Sequence, residues 1–284
     1  YKADLLEIHC QDPTFHVLFI PGNPGVISFY TEFLESLFEL LGGKACVTGK
    51  KRLNFFPNWE SGRLFSLQEQ IEHKISFIEH VFQDASPIVL VGHSIGSYIS
   101  LELLTRYKEK IMYCICLYPF LATDTASSTQ ATIRRIAMSP TLSTGLSSLG
   151  AFLGFLPVRF SRFLAKKILG KSSSSYTVEV LCTQVLKYHV MRNMLFMAKT
   201  EFEKLPEKPD FDFIRENKSK LAFLFGSDDH WGPLHLYKEI YDKVPDATLA
   251  IEREGHTHAF SCTDAGSIWV AQHVSSLIKN HLPK

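Results

Sequence analysis

Short apolar runs alternate along this chain with longer segments whose apolar positions recur at helical spacing. The short runs predict strands, and we place these over residues 5–10, 16–20, 88–91, 111–118, 220–225 and 248–251. The longer segments predict helices over residues 28–41, 67–82, 234–244 and 267–278, with another directly after the run at 88–91. This alternation indicates an α/β fold, a mainly parallel, doubly wound sheet covered by helices on both faces.

The alternation breaks between residues 120 and 212, which we predict to be a helical lid inserted into a core of residues 1–119 and 213–284. Within the lid, residues 136–158 form a run of 23 uncharged residues, long enough to suggest a membrane-spanning helix. Eleven of them are Ser, Thr, Gly or Pro, and two are Pro140 and Pro157. This composition disfavours an unbroken spanning helix.

A basic amphipathic pattern follows this uncharged run. It combines apolar residues at helical spacing with four basic residues: Phe160, Phe163, Leu164 and Ile168 beside Arg159, Arg162, Lys166 and Lys167. Two interpretations stay open, because such a segment can pack over the core as a cap or present an exposed face to a lipid surface.

Composition narrows the class of partner. The chain has 30 Lys and Arg against 29 Asp and Glu, which gives a net charge of +1, so we expect no nucleic-acid partner. The six cysteines are scattered without a C-x-x-C pair, so we expect no metal site and favour a reducing compartment.

The sequence GHSIG at 92–96 stands where a predicted strand meets a predicted helix. Nucleophilic serine chemistry needs a hydroxyl held at such a turn, and the glycines avoid a clash of Cβ with neighbouring backbone. Ser94 is therefore the candidate nucleophile, and the N–H of Ile95 at the helix start is a candidate oxyanion donor. The Pro/Gly-rich loop after the first buried strand offers a second donor, Asn23. His93 is expected to pack rather than react.

A serine nucleophile needs a histidine base and a carboxylate that orients it. Asp228 and Asp229 follow one late predicted strand, and His256 and His258 follow the next. This chain order, serine, acid and then histidine, is typical of G-x-S-x-G hydrolases. The residues alone leave the choice within each pair open.

Five motifs in order carry a resemblance to a known family: IPGNPG at 20–25 followed by Phe29-Tyr30, QIEHK at 70–74, GHSIGSY at 92–98, GSDDHW at 226–231 and THAF at 257–260. In these motifs the chain resembles the lipid droplet-associated hydrolase family over most of its length, and least across the lid. The resemblance implies an α/β-hydrolase fold and a serine esterase or lipase for lipid esters, sterol esters among them. It also implies association with lipid droplets or the endoplasmic reticulum.

Carried over by motif, the resemblance implies Ser94 as nucleophile, Asp229 as acid and His258 as base. Asp228 and His256 remain the alternatives. The residues flanking Asp229 depart from the family pattern, which has an apolar residue before the acid and a proline after it. The mechanism that this set implies needs no cofactor and no metal.

We therefore predict a serine carboxylic-ester hydrolase on the cytosolic side of a lipid droplet or endoplasmic reticulum membrane, with the lid region contacting the lipid surface. Two other functions stay open on the same fold. One is a lipid-droplet surface protein that organises lipid or binds partners, and the other is a small-molecule carboxylesterase.

Overall fold

The computed structural model describes residues 5–50, 62–82, 86–157, 159–163 and 173–282. Within them seven strands form one sheet in the order β1-β3-β2-β4-β5-β6-β7. The strands are β1 (Leu5–Ile8), β2 (Phe15–Ile20), β3 (Ala45–Lys50), β4 (Ile88–His93), β5 (Ile111–Leu117), β6 (Leu221–Gly226) and β7 (Thr248–Glu252). Only the pairing of β1 with β3 is antiparallel among these described strands, which confirms the mainly parallel sheet.

One strand, β3, was not predicted from the sequence. Its residues ACVTGK contain a threonine and a glycine and lack the apolar run that marks the other inner strands. The strand forms because β1 and β2 pair with its two edges. A Cβ on Gly49 would lie 2.7 Å from the Ile27 side chain, so a larger residue there would require that flexible side chain to shift.

Ten α-helices in the described residues pack around the sheet. They are α1 (Thr31–Leu40), α2 (Leu67–Val81), α3 (Ile95–Arg106), α4 (Ser128–Met138), α5 (Pro140–Phe155), α6 (Ser175–Val180), α7 (Tyr188–Lys204), α8 (Phe211–Glu216), α9 (Leu234–Lys243) and α10 (Asp264–His281). Residues 159–163 are also helical. Helices α1 and α10 cover one face of the sheet, whereas α2, α3 and α9 cover the other.

Alternate residues of the inner strands enter two separate apolar cores. In β2, Leu18 and Ile20 belong to the core under α2 and α3, whereas Val17 and Phe19 belong to the core under α1 and α10. A strand that is buried on both faces reads as a continuous apolar run, which is why β2 and β4 could be predicted. The doubly wound arrangement is confirmed.

The predicted helix boundaries hold to within a few residues, with local reasons at the ends. The helix predicted at 67–82 begins after Ser66, whose hydroxyl accepts the Glu69 N–H while the Glu69 carboxylate accepts the Ser66 N–H. The helix predicted at 28–41 is divided into a 3-10 turn, Ile27–Tyr30, and α1.

Helices α4 to α7 lie between β5 and β6, in the predicted lid. Helix α7 packs against both α4 and α5. The uncharged run is broken at Ser139, whose hydroxyl caps α5 by accepting the Leu142 N–H, and Pro140 follows it. None of the helices in the described part of the chain is long and apolar enough to span a bilayer. The predicted lid boundary at residue 212 falls inside α8, and Leu164, Lys166, Lys167 and Ile168 lie outside the described residues.

Candidate active site

Ser94 stands at the junction of β4 and α3, with no loop between strand and helix. Its backbone has φ of 56° and ψ of −126°, which is a conformation that residues with a side chain rarely adopt. Hydrogen bonds hold this turn in place, because the Ser94 N–H donates to the Leu117 carbonyl at 3.0 Å and its carbonyl accepts the Phe120 N–H. A Cβ on Gly96 would clash with the Ile20 carbonyl oxygen, so only glycine allows α3 to pack this closely on the end of β2.

Asp229 and His258 meet at the same edge of the sheet. Asp229 follows β6 and His258 follows β7, so parallel strands bring both loops beside Ser94. The Oδ2 atom of Asp229 lies 2.9 Å from Nδ1 of His258, and its Oδ1 accepts the Trp231 N–H at 2.9 Å. Since a carboxylate only accepts, Nδ1 carries a proton, and in the neutral imidazole Nε2 of His258 is then left with its lone pair.

The alternative acid and base lie elsewhere. The Asp228 side chain is exposed, whereas Asp229 is 7% exposed. His256 is half-buried, and its ring lies 5.9 Å from the ring of Trp269 on α10. The structure therefore brings Asp229 to His258 and leaves the other two residues outside the described lining of the cavity below.

A cavity of about 280 Å³ lies above Ser94, and we call it the site cavity. Ser94, His258 and Asn23 line its floor. The rest of its described lining is mostly apolar and comes largely from the predicted lid: Phe120, Ile133, Ile136, Leu146, Met194, Leu195, Ala198, Glu201 and Trp231. A larger cavity of about 600 Å³ lies among α5, α6 and α7, but its described lining includes none of the predicted site residues.

Asn23 lies in the loop after β2, which we call the oxyanion loop (residues 21–25) after the role predicted for Asn23. A Cβ on Gly22 would lie 3.0 Å from Cβ of Ser94, so this backbone passes directly beside the candidate nucleophile. The Asn23 side chain donates to the Met194 carbonyl at 3.0 Å and ties the loop to α7. Ile95 begins α3, where the N–H has no carbonyl partner within the helix.

Two aromatic residues at the site were not identified from their types alone. Trp231 lines the site cavity beside His258, and the GSDDHW motif already contained it. Tyr118 follows β5 with φ of 44° and lies 6.0 Å from the His258 ring. Burial raises the Tyr118 pKa far above its usual range, and the charges of Glu252 and Asp229 raise it further, so the phenol stays neutral.

A family model described as lipid-droplet associated hydrolase matches residues 13–261. The lipid droplet-associated hydrolase of Rattus norvegicus is 29% identical over 95% of this chain and 86% of its own length. The protein of the same name from Dictyostelium discoideum is 28% identical over 91% of this chain and 86% of its own length.

Solved structures of other proteins share the fold. A carboxylesterase from Nitrososphaera gargenis has a TM-score of 0.67 at 14% identity, covering 99% of this chain and 96% of its own. An α/β-hydrolase fold protein from Burkholderia ambifaria has a TM-score of 0.62 at 13% identity, covering 95% of this chain and 92% of its own. These likenesses confirm the predicted fold, and the match over residues 13–261 establishes that the chain belongs to the lipid-droplet associated hydrolase family, within the α/β-hydrolase fold.

Proposed function

We propose that this protein is a serine hydrolase that cleaves a lipid ester through an acyl-enzyme on Ser94. One observation carries the proposal: the 2.9 Å hydrogen bond from His258 Nδ1 to Asp229, beside a cavity that His258 shares with Ser94. An acid, a base and a hydroxyl in this order are the groups that nucleophilic acyl transfer requires.

In the proposed mechanism, Ser94 Oγ attacks the ester carbonyl while Nε2 of His258 takes its proton. Asp229 stabilises the imidazolium, and the N–H groups of Asn23 and Ile95 hold the oxyanion. His258 then returns the proton to the departing alcohol, which leaves an acyl group on Ser94. A water molecule, deprotonated by His258, then attacks that acyl group. The bond to Ser94 Oγ breaks, His258 returns the proton to that oxygen, and the carboxylic acid is released.

The substrate proposal rests on the lining of the site cavity. Lid helices α4, α5 and α7 supply apolar walls, which favour a hydrocarbon limb over a polar substrate. Its volume of about 280 Å³ is near the lower end of the range for small-molecule sites, about 300–1,000 Å³. We therefore propose that it holds one limb of a lipid ester, with the other limb outside.

We also propose that the lid contacts a lipid surface, as the names of the relatives suggest. Six large apolar side chains on α5 and residues 159–163 are exposed: Leu142, Leu149, Phe152, Phe155, Phe160 and Phe163. Phe155 is 89% exposed and Phe152 is 60% exposed. Burying each such side chain in lipid contributes about 1.5–3 kcal/mol, and exposed Arg159 can attract anionic headgroups.

A comparison of Ser94→Ala with Ser100→Ala tests the enzymatic proposal. Ser100 is on the same helix, but its hydroxyl donates to the Gly96 carbonyl within α3. We expect wild type and Ser100→Ala to be labelled by a fluorophosphonate probe and to hydrolyse short acyl esters. Ser94→Ala should fold, lose labelling and lose several orders of magnitude in turnover.

Undiminished turnover in Ser94→Ala would refute the assignment of the nucleophile. Labelling of Ser94 without turnover of any ester, with or without a lipid emulsion, would favour the surface-protein function instead. A panel that varies acyl length and alcohol would identify the substrate class, including whether sterol esters or acylglycerols are cleaved.

The lid proposal is tested by flotation with phospholipid-coated oil droplets. The variant Phe152→Ser/Phe155→Ser should have a droplet partition coefficient at least about 10²-fold lower than wild type, because the two lost anchors together contribute about 3–6 kcal/mol. The matched control Tyr241→Ser/Ile268→Ser removes two exposed apolar side chains from α9 and α10 and should float like wild type. Equal flotation of all three proteins would leave the lid as a cover of the site cavity.

A further inference from the structure

We propose that His93 is a positioning residue that joins the two loops on which the proposed ester hydrolysis depends. One is the oxyanion loop, and the other is the histidine loop (residues 253–259). This inference rests on the proposed function, because it concerns groups that serve Ser94. Its basis is a continuous chain of hydrogen bonds through the His93 ring.

The first link joins His93 to the backbone of the histidine loop. Nε2 of His93 lies 2.9 Å from the carbonyl oxygen of His258. A carbonyl oxygen only accepts, so Nε2 of His93 carries a proton and donates it. This bond holds the main chain of the residue whose side chain is the proposed base.

The second link joins His93 to the oxyanion loop through Tyr30. In a neutral imidazole with a proton on Nε2, Nδ1 is an acceptor, and the Tyr30 hydroxyl lies 2.8 Å from it. The Tyr30 oxygen in turn accepts the backbone N–H of Gly22 at 3.3 Å. Gly22 precedes Asn23, whose N–H is the proposed oxyanion donor, so the chain runs from one loop to the other.

Packing leaves the His93 ring little freedom to move. The residue is 5% exposed, and its ring lies 4.8 Å from the His258 ring and 5.2 Å from the Phe260 ring. A Cβ on Gly22 would lie 2.8 Å from Nδ1 of His93, so the oxyanion loop also lies against the ring. A buried ring with both nitrogens engaged can hold two backbone segments at fixed positions.

The same bonds argue against His93 as a base. Its Nδ1 accepts from Tyr30 and its Nε2 donates to a carbonyl, so neither nitrogen is presented to the Ser94 hydroxyl. His93 therefore acts through the geometry of His258 and the oxyanion donor. The base and the oxyanion donor both act in the transition state. The substrate limb, in contrast, binds in the site cavity, and His93 is not part of the described lining of that cavity. Its loss should lower kcat and leave KM nearly unchanged.

The test compares His93→Phe, Tyr30→Phe and His93→Gln, with Tyr98→Phe as control. Tyr98 is half-buried on α3, and its hydroxyl bonds to Glu102 on the same helix. Active sites are first titrated with a fluorophosphonate probe, so that kcat is expressed per labelled Ser94. A purely structural role for His93 would lower the titrated fraction and leave kcat per site at the wild-type value.

A shift of about 1 Å in a reacting group costs about 10²-fold in rate, so we expect His93→Phe to lose about that much kcat per site. Tyr30→Phe should lower kcat per site about tenfold, because it breaks only the link from His93 to the oxyanion loop. Combining Tyr30→Phe with His93→Phe should lower kcat no further than His93→Phe alone. His93→Gln can donate and accept along the same path and should recover part of the loss. Tyr98→Phe should match wild type.

The inference would be overturned if Tyr30→Phe kept the wild-type kcat per site. Because Tyr30→Phe removes only a hydroxyl and keeps the aromatic ring, it remains decisive even if His93→Phe does not fold. A KM increase with unchanged kcat would also overturn it. Failure of the proposed function can be told apart from failure of this inference. If the proposed function were wrong, wild type itself would show no turnover that depends on Ser94.

Discussion

Replacing Asp229 by Asn keeps the size of the side chain and removes its charge and one of its two acceptor oxygens. Which oxygen is replaced is decided by the neighbouring backbone. The Trp231 N–H donates to Oδ1 at 2.9 Å, and it still needs an acceptor in the variant. The amide oxygen of the new Asn therefore stays toward Trp231, and its NH₂ group faces Nδ1 of His258.

This orientation forces the His258 ring into the wrong tautomer. Facing a donor, Nδ1 becomes an acceptor, and the proton moves to Nε2, which then cannot accept the Ser94 proton. The same substitution in a serine protease triad costs about 10⁴-fold in kcat, which corresponds to about 5.5 kcal/mol of transition-state stabilisation. Because the Trp231 N–H fixes the amide orientation here, we expect a loss of that order.

The assay is hydrolysis of a short p-nitrophenyl ester, with Asp228→Asn as the matched control. Asp228 is the neighbouring carboxylate and is exposed, so its substitution should change kcat/KM by less than about threefold. A melting curve should show that Asp229→Asn is folded. If Asp229→Asn retained a tenth of wild-type kcat, or if Asp228→Asn were the inactive variant, the reasoning from Trp231 and His258 would be wrong.

Two further predictions follow from the histidines. His258→Ala should abolish ester turnover, whereas His256→Ala should reduce it only modestly, and the opposite ranking in kcat/KM would reverse the choice of base. Burial lowers the pKa of His273, so the unfolded state binds its proton more readily and stability is lost as pH falls below about 6.5. In urea melts between pH 7 and 5, His273→Gln should lose less free energy of unfolding than wild type. Part of the pH dependence should remain in the variant, because burial also lowers the pKa of His16. An identical pH dependence of the two proteins would contradict this.

The strands that are buried on both faces could be predicted, because burial leaves a run of apolar residues in the sequence. A strand that forms mainly through hydrogen bonds to its neighbours could not be predicted. Strands β2 and β4 are buried on both faces and read as continuous apolar runs. Strand β3 has neighbours on both edges, but its Thr48 and Gly49 interrupt any such run. Its strand structure depends on hydrogen bonds to β1 and β2, which local sequence does not encode.

The convergence of the candidate site residues could also be predicted, because the carboxyl ends of parallel strands meet at one edge of the sheet. Ser94 follows β4, and Asp229 and His258 follow β6 and β7, so their loops must be neighbours once the strand order is set. The choice within each pair was not predictable from residue types. Loop backbones have no periodicity, and only the fold determines that Asp229 turns inward while Asp228 is exposed.

His93 shows a different limit of sequence reasoning. Its position before the candidate nucleophile predicted packing, and its ring does pack, but its polar partners are far away along the chain. Tyr30 is 63 residues before it and the His258 carbonyl is 165 residues after it. Most buried polar groups are hydrogen-bonded, so the burial of this imidazole favours a partner for each nitrogen. Which two they are depends on how the oxyanion and histidine loops converge, and that convergence is what lets one ring position both of them.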